Sequence, residues 1–224
     1  MQRVQAHLAG HGTTWFAHYQ KAGKGQRGKQ WNAERGKNIM MSVALETRTL
    51  SVEDQALLNI AVALGCFDFF SGYAGEKTKI KWPNDIYWGD RKAGGILIES
   101  ILHGAKWKYS IIGIGININQ ILFPAPLLNA VSLAQITGNT FDVIGLAKEV
   151  CSLLEKRWQQ LLHGQHQELL KEYNESLFRL NQKAVFKKES EIFQGVIQGV
   201  NHKGELLIAR ENGAIDAYKS LIWL

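Results

Sequence analysis

The sequence predicts an α+β protein: a sheet interleaved with a few helices, followed by a small all-β module. Three observations carry this. A long apolar helix stands behind a capped start at Ser51, among segments that read as strands. A second, amphipathic helix follows Asp142. From about Asn181 the texture changes to short strands and turns, which assigns 1–180 to one domain and 181–224 to another.

The elements follow in order. "MQRVQAHLAGHG" reads as the tail of a helix stopped at Gly10 or Gly12, as though the chain starts late. "TTWFAHY" and "IMMSVALE" are β-branched and aromatic or apolar strands, with a Gly-rich loop between them running to about Asn38. Ser51, with Asp54 three residues on, caps the helix "VEDQALLNIAVALGCFDFF". "TKIKW" is a short strand ending at Pro83, and "DIYW" and "AGGILIESIL" form a hairpin around "GDRK". "KWKYSIIGIGINI" is a further strand, expected at the sheet edge. The helix after Asp142 carries Leu146, Val150, Leu153, Leu154, Trp158 and Leu161 at helical spacing, as core, and "QELLKEYNESLF" adds a shorter one. "KAVFKKES", "EIFQGVIQGV", "GELLIAR" and "AIDAYKSLI" are strands of a small barrel, with turns at Glu189–Ser190, Asn201–Gly204 and Asn212–Gly213.

The composition excludes several classes. With 46% hydrophobic residues and three prolines, the 224 residues are neither disordered nor collagen-like. A formal charge of +6 favours anionic partners: nucleic acid, nucleotides or an acidic protein. Cys66 and Cys151 form no C-x-x-C and read as reduced, buried thiols. No run reads as a membrane span and no signal peptide is evident, so a cytoplasmic protein away from membranes is expected. His7 and His11, and His163 and His166, stand at metal-ligand spacing without an acidic companion and read as surface histidines.

Three segments carry chemistry. "GKGQRGKQW" holds Gly23, Gly25 and Gly28 as G-x-G-x-x-G. A dinucleotide fold would need a helix next, a kinase would need a lysine where Glu46 stands, and G-K-[ST] is absent. A solvated basic loop remains the alternative. "KWPNDIYWGDRKAGGIL" gathers Lys81, Asn84, Asp85, Arg91, Lys92, Gly94 and Gly95. Pro83 fixes a bend that holds Lys81 and Asp85 at a strand end, and a carboxylate beside an amide suits Mg²⁺. Lys92 can aim an ammonium into a cleft; the alternative is a charged hairpin tip with a Gly94–Gly95 bulge. In "IIGIGINI", Gly113 and Gly115 share one strand face, which argues that something lies against it, with Asn117 able to hydrogen-bond beside it.

Together, "YQKAGKGQRGKQW", "KWPNDIYWGDRKAGGIL" and "IGIGIN" make the sequence resemble the biotin protein ligases over nearly its whole length. The resemblance implies a class II aminoacyl-tRNA synthetase-like mixed sheet with helices, followed by an SH3-like β-barrel. It implies activation of biotin by ATP to biotinyl-5′-AMP, then transfer to a lysine of a carboxyl carrier domain. Gln20, Gly23, Lys24, Lys92 and Gly95 would contact biotin. Lys24, Arg27, Trp31, Asn84 and Asn117 would contact the nucleotide. Lys81, Asp85 and Lys92 would be catalytic, with Asp85 toward Mg²⁺. The glycine loop would be a flap closing over the adenylate, and a homodimer extending a sheet is expected.

Two departures stand out. Gln26 occupies a position where the family usually has arginine, and Lys24 replaces another, which leaves Arg27 to hold the adenylate. A Ser-Thr pair that binds biotin precedes the first helix in the family; Thr13 and Thr14 lie after it. Weak or absent biotin-dependent ATP–pyrophosphate exchange is therefore expected of these residues. The rival enzyme is a lipoate or octanoate ligase or transferase of the same fold, which "KWPND" argues against. The non-enzyme rival is a DNA-binding repressor, for which these residues leave no room.

Overall fold

The computed structural model describes residues 9–104, 106–125 and 127–224, with Arg27 described by its backbone alone. The predicted N-terminal helix lies mostly outside the described residues, as does His7. The larger sheet has six antiparallel strands: β1 (Thr14–Phe16), β4 (Ile39–Glu46), β5 (Thr78–Lys81), β6 (Asp85–Trp88), β7 (Arg91–His103) and β8 (Lys106–Ile116). Their order is β1-β4-β8-β7-β6-β5. Between β1 and β4 the glycine loop folds into a two-stranded ribbon, β2 (Gly23–Lys24) and β3 (Gln30–Trp31).

β8 is not the edge strand that its sequence suggested, since it lies between β4 and β7 and pairs with both. The reason is legible in its burial. Ile112, Ile114 and Ile116 pack against the helices, while Tyr109 and Ile111 are buried on the other face with Ala44. A strand apolar on both faces belongs in the middle of a sheet.

Alternation along β4 sorts the two faces. Ile39, Met41, Val43 and Leu45 join the main core under the helices, and Met40, Ser42 and Ala44 point the other way. The helices are α1 (Gln55–Ala74), α2 (Leu133–Thr137), α3 (Val143–Leu162) and α4 (His166–Glu175). The Ser51–Asp54 capping box starts a 3₁₀ turn that leads into α1, and Asp142 caps α3 by accepting from Ile144 N at 3.1 Å. Contrary to the sequence reading, Val52–Ala74 is long and apolar enough to cross a membrane. In this fold most of its apolar part is buried, because α1 packs against the sheet as well as against α3 and α4. The helices are also stapled by charge: Arg157 on α3 reaches Asp68 on α1 at 2.7 Å and Glu172 on α4 at 2.6 Å.

The C-terminal module has β9 (Lys183–Lys188), β10 (Glu191–Val200), β11 (Leu206–Ala209), β12 (Ile215–Tyr218) and β13 (Ile222–Trp223), ordered β12-β11-β10-β9-β13. Its apolar interior belongs to the same core cluster as the larger sheet. Two side chains seat it: Trp82 Nε1 donates to Gly204 O at 2.9 Å, and Asn174 bonds both ways with Val200. Where α4 ends, Ile80 N donates to Ser176 O and Phe178 N to Ile80 O, stitching the helix end onto β5. Tyr173 lies fully buried nearby and donates its hydroxyl to Pro83 O at 2.9 Å. Tyr173→Phe strands that carbonyl, so we expect a loss of about 1–3 kcal/mol in urea unfolding.

Candidate functional site

The register of five strands builds the site. Residues directly opposite in antiparallel strands point to the same face. Lys81 opposes Asp85, Asp85 opposes Gly95, Gly95 opposes Gly115, and Gly115 opposes Met40. This row crosses the sheet on the face away from the helices: an ion-bearing end, then two glycines, then a thioether. The adjoining row is Leu97, Gly113 and Ser42. Without side chains at its middle, the sheet surface is depressed into a cavity of about 770 Å³, within the usual range for small-ligand sites.

Lys92 reaches this cavity only because β7 is irregular. Period-two alternation would put Lys92 and Gly95 on opposite faces. The β6–β7 pairing slips, Ile86 opposing Gly94 and Tyr87 opposing Lys92, so Ala93 is left over and the parity reverses. The bulge thus falls at Ala93, one residue before the expected glycine pair. Lys92 Nζ then lies 2.7 Å from Asp85 Oδ2. Gly95 makes room, since a Cβ there would sit 3.2 Å from Asp85 Oδ1 and 3.3 Å from Lys92 Nζ. The Lys92 backbone is anchored to the loop after β8, donating to Asn129 O and accepting from Val131 N.

The two asparagines line the same cavity but their amides are engaged. Asn84 donates to Ile96 O, and Asn117 donates to Val131 O at 3.1 Å and Lys92 O at 3.4 Å. Both hold the backbone beneath the two charged residues. Lys81 is handled differently. Its Nζ donates to Tyr87 Oη at 3.4 Å and sits 4.8, 5.0 and 5.8 Å from the rings of Tyr87, Trp223 and Phe178. Burial lowers its pKa from the usual lysine value; Asp85 opposes that shift, and Arg179, Lys92 and Lys29 add to it. Burial lifts the Tyr87 phenol to about 12, helped by Asp85 and Asp90.

The glycine loop forms the roof. Gly23 pairs with Trp31 across the ribbon, where a Cβ would strike Trp31 O. Gly25 N donates to Lys29 O at 2.7 Å around the turn Gln26–Gly28, and Gly28 takes φ +73°. The Trp31 indole then rests on the floor: a Cβ at Gly115 would lie 2.5 Å from its Cε2. What lies against the glycine face is thus the chain's own tryptophan, whose Nε1 is buried without a partner among the described residues.

Gln20, Gly23, Lys24 and Trp31 from the loop all face the cavity. So do Lys81, Asn84, Asp85, Lys92, Gly95 and Asn117 from the sheet. The side chain of Arg27 lies outside the description. Thr13 and Thr14 bond locally, to Gly10 N and Gly12 O, and do not line the cavity. Sequence reasoning missed Glu99, whose alternation with Gly95 could have placed it, and Leu221–Trp223, for which no signal existed. Five lysines (Lys21, Lys24, Lys29, Lys81 and Lys92) face two carboxylates, Asp85 and Glu99. A cleft so charged holds anions. Among the described residues no three His, Cys, Asp or Glu side chains come together as a metal cage.

A depressed, lysine-rich cleft under a glycine ribbon, on the open face of an antiparallel sheet, is the kind of site that suits an anionic small molecule. The chain belongs to the biotin/lipoate A/B protein ligase family, whose family model matches residues 4–117. It is similar to the bifunctional ligase/repressor BirA of Bacillus spizizenii, 32% identical over 218 residues, covering 95% of this chain and 66% of that one. It is also similar to the biotin–[acetyl-CoA-carboxylase] ligase of Mycobacterium tuberculosis, 29% identical over 112 residues, covering 49% and 40% of the two chains. The chain thus spans just under two thirds of the Bacillus relative's length. The fold matches the biotin protein ligase of Aquifex aeolicus solved in complex with biotin and ATP, with TM-score 0.85, 24% identity and coverage of 100% and 93%.

Two outcomes follow from this geometry. Gly115→Ala collides with the Trp31 indole and should lower stability by about 1–3 kcal/mol in urea unfolding, a loss that Trp31→Ala relieves. The Tyr87 phenol is raised above its unfolded value of 10.0, so its contribution is complete below about pH 10 and disappears as pH rises to about 12. In Tyr87→Phe, stability should therefore fall less steeply across that alkaline window.

Proposed function

We propose that this chain activates biotin with ATP to biotinyl-5′-AMP and transfers the biotinyl group to a lysine of a biotin carboxyl carrier domain. The observation that carries the reading is the single cavity uniting the glycine ribbon, the Gly95–Gly115 floor and the Lys92–Asp85 pair. The names of the relatives, both ligases, support it.

The chemistry asks a carboxylate and a triphosphate, both anionic, to meet. Lys24, Lys29, Lys81 and Lys92 reduce their repulsion before any bond changes, so the electrostatic work is done by folding. The biotin carboxylate attacks the α-phosphorus and pyrophosphate leaves. The acceptor amine then attacks the carbonyl of the mixed anhydride, and AMP leaves. Both nucleophiles come from substrates, so no activated serine or cysteine is needed. Asp85 holds Lys92 by its ion pair, and Asn117 holds the Lys92 carbonyl.

Mg²⁺ fits this site as an ion arriving with ATP. It is commonly held by one or two carboxylates plus substrate phosphates, and Asp85 and Glu99 are the carboxylates facing the cavity. When bound, it would neutralise phosphate charge as pyrophosphate departs. A cytoplasmic location accords with free Cys66 and Cys151. A homodimer that extends the six-stranded sheet would use the β1 or β5 edge, as β8 is interior.

The test is ATP–pyrophosphate exchange with biotin, lipoate or octanoate as the acid. Biotin should support exchange that is weak, given Lys24 and Gln26 in place of arginines, yet above that with the other two, and Lys92→Ala should reduce it further. Exchange driven by lipoate or octanoate instead would overturn the reading.

A further inference from the structure

We propose that Trp223, on the last strand of the C-terminal module, is a positioning residue of this site: its indole holds the Lys81 ammonium, uncancelled, for the phosphate chain of ATP. The proposal deepens the ligase reading and rests on it for the identity of the anion.

The argument starts from what Lys81 lacks. Among the described residues no carboxylate oxygen lies within 4 Å of its Nζ, and the nearest candidate, Asp85, is committed to Lys92 at 2.7 Å. The other charges acting on it are repulsive: Lys92, Lys29 and Arg179. A half-buried cation in such company needs something to hold it in place. Three π faces do so, Tyr87 at 4.8 Å, Trp223 at 5.0 Å and Phe178 at 5.8 Å, with the Tyr87 hydroxyl at 3.4 Å. Ring faces attract an ammonium without neutralising it. A carboxylate at the same nitrogen would offset part of its charge, as Asp85 does for Lys92, leaving less for an incoming anion.

Of the three rings, Trp223 is the one delivered by the C-terminal module. Strand β13 pairs with β9, Trp223 opposing Phe186, and its indole packs 5.9 Å from Phe178 and 5.2 Å from Phe186. Leu221, Ile222 and Trp223 all line the cavity. The Trp223 Nε1 is buried without a partner among the described residues, so the ring is placed by its faces alone. The C-terminal module therefore contributes a wall of the site and one of the three ring faces that hold Lys81.

The experiment uses the full chain and inorganic pyrophosphate as the probe, with affinity read by calorimetry. Trp223→Leu should weaken pyrophosphate binding by about tenfold, and Trp223→Phe, which keeps a π face, should recover all but about threefold. Lys81→Met should weaken it at least as much, and adding Trp223→Leu to Lys81→Met should cost nothing further. In exchange assays Trp223→Leu should raise the KM for ATP and leave that for biotin unchanged, a split that general loosening would not produce. Additive losses, unchanged affinity in Trp223→Leu, or no recovery in a folded Trp223→Phe would each overturn the proposal. Pyrophosphate binding needs no biotin, so a failure of the ligase reading would show in the choice of acid while this result stood apart.

Discussion

One unpaired residue, Ala93, decides which face of the sheet Lys92 occupies, and the rest of the site is arranged around that choice. A regular β7 would send Lys92 toward the helices, into a core with no partner for a charge, or would force Gly95 off the floor. With the slip in place, Lys92, Asp85 and Gly95 meet on one face. The bulge is held from both sides, by the turn at Gly89–Asp90 and by the Lys92 bonds to Asn129 and Val131. Asn117 closes the arrangement from β8's end, donating to the same Lys92 carbonyl. Lys92 is thus positioned mainly by backbone pairing, which is stiffer than side-chain packing.

The glycine floor is the complementary device. Charge is concentrated at the β5–β6 end and along the ribbon, whereas the middle of the sheet offers bare backbone. Ligand atoms can approach there without displacing side chains. In this structure Trp31 uses that space, its indole laid on Gly115 beneath the ribbon that carries it. The same ring therefore acts as part of the roof and as a filler of the floor, and a ligand in the cleft must share the space with it.

How much of this was legible in the sequence differs by element. β4 was readable to the residue because it is a compact apolar run ending at Glu46, and α1 and α3 because their caps and apolar runs agree. The ten described site residues converge because their motifs sit where strands face one another across a turn or a ladder. The interior place of β8 was misjudged: its apolar run was visible, but pairing partners are a property of the sheet rather than of the strand. No run read as a membrane span, yet α1 is long and apolar enough for one; in the fold it is a core helix whose Asp68 is met by Arg157. The parity reversal at Ala93 was only partly legible: the Gly94–Gly95 pair marked a bulge nearby, but not which residue is left unpaired. Trp223 was invisible for a different reason: nothing local links "LIWL" to a lysine 142 positions earlier.

The placement of Trp223 has a consequence for how the molecule comes into being. A chain emerging from the ribosome makes the larger sheet first, with the ribbon, the glycine floor and the Lys92–Asp85 pair all ahead of the C-terminal module. The cavity nonetheless stays open on one side until β13, far downstream of those motifs, docks beside Lys81. A truncated product, or one still being translated, holds the recognisable motifs without the finished pocket. Strand β13 thus ties an intact charge-holding site to synthesis of the C-terminal module.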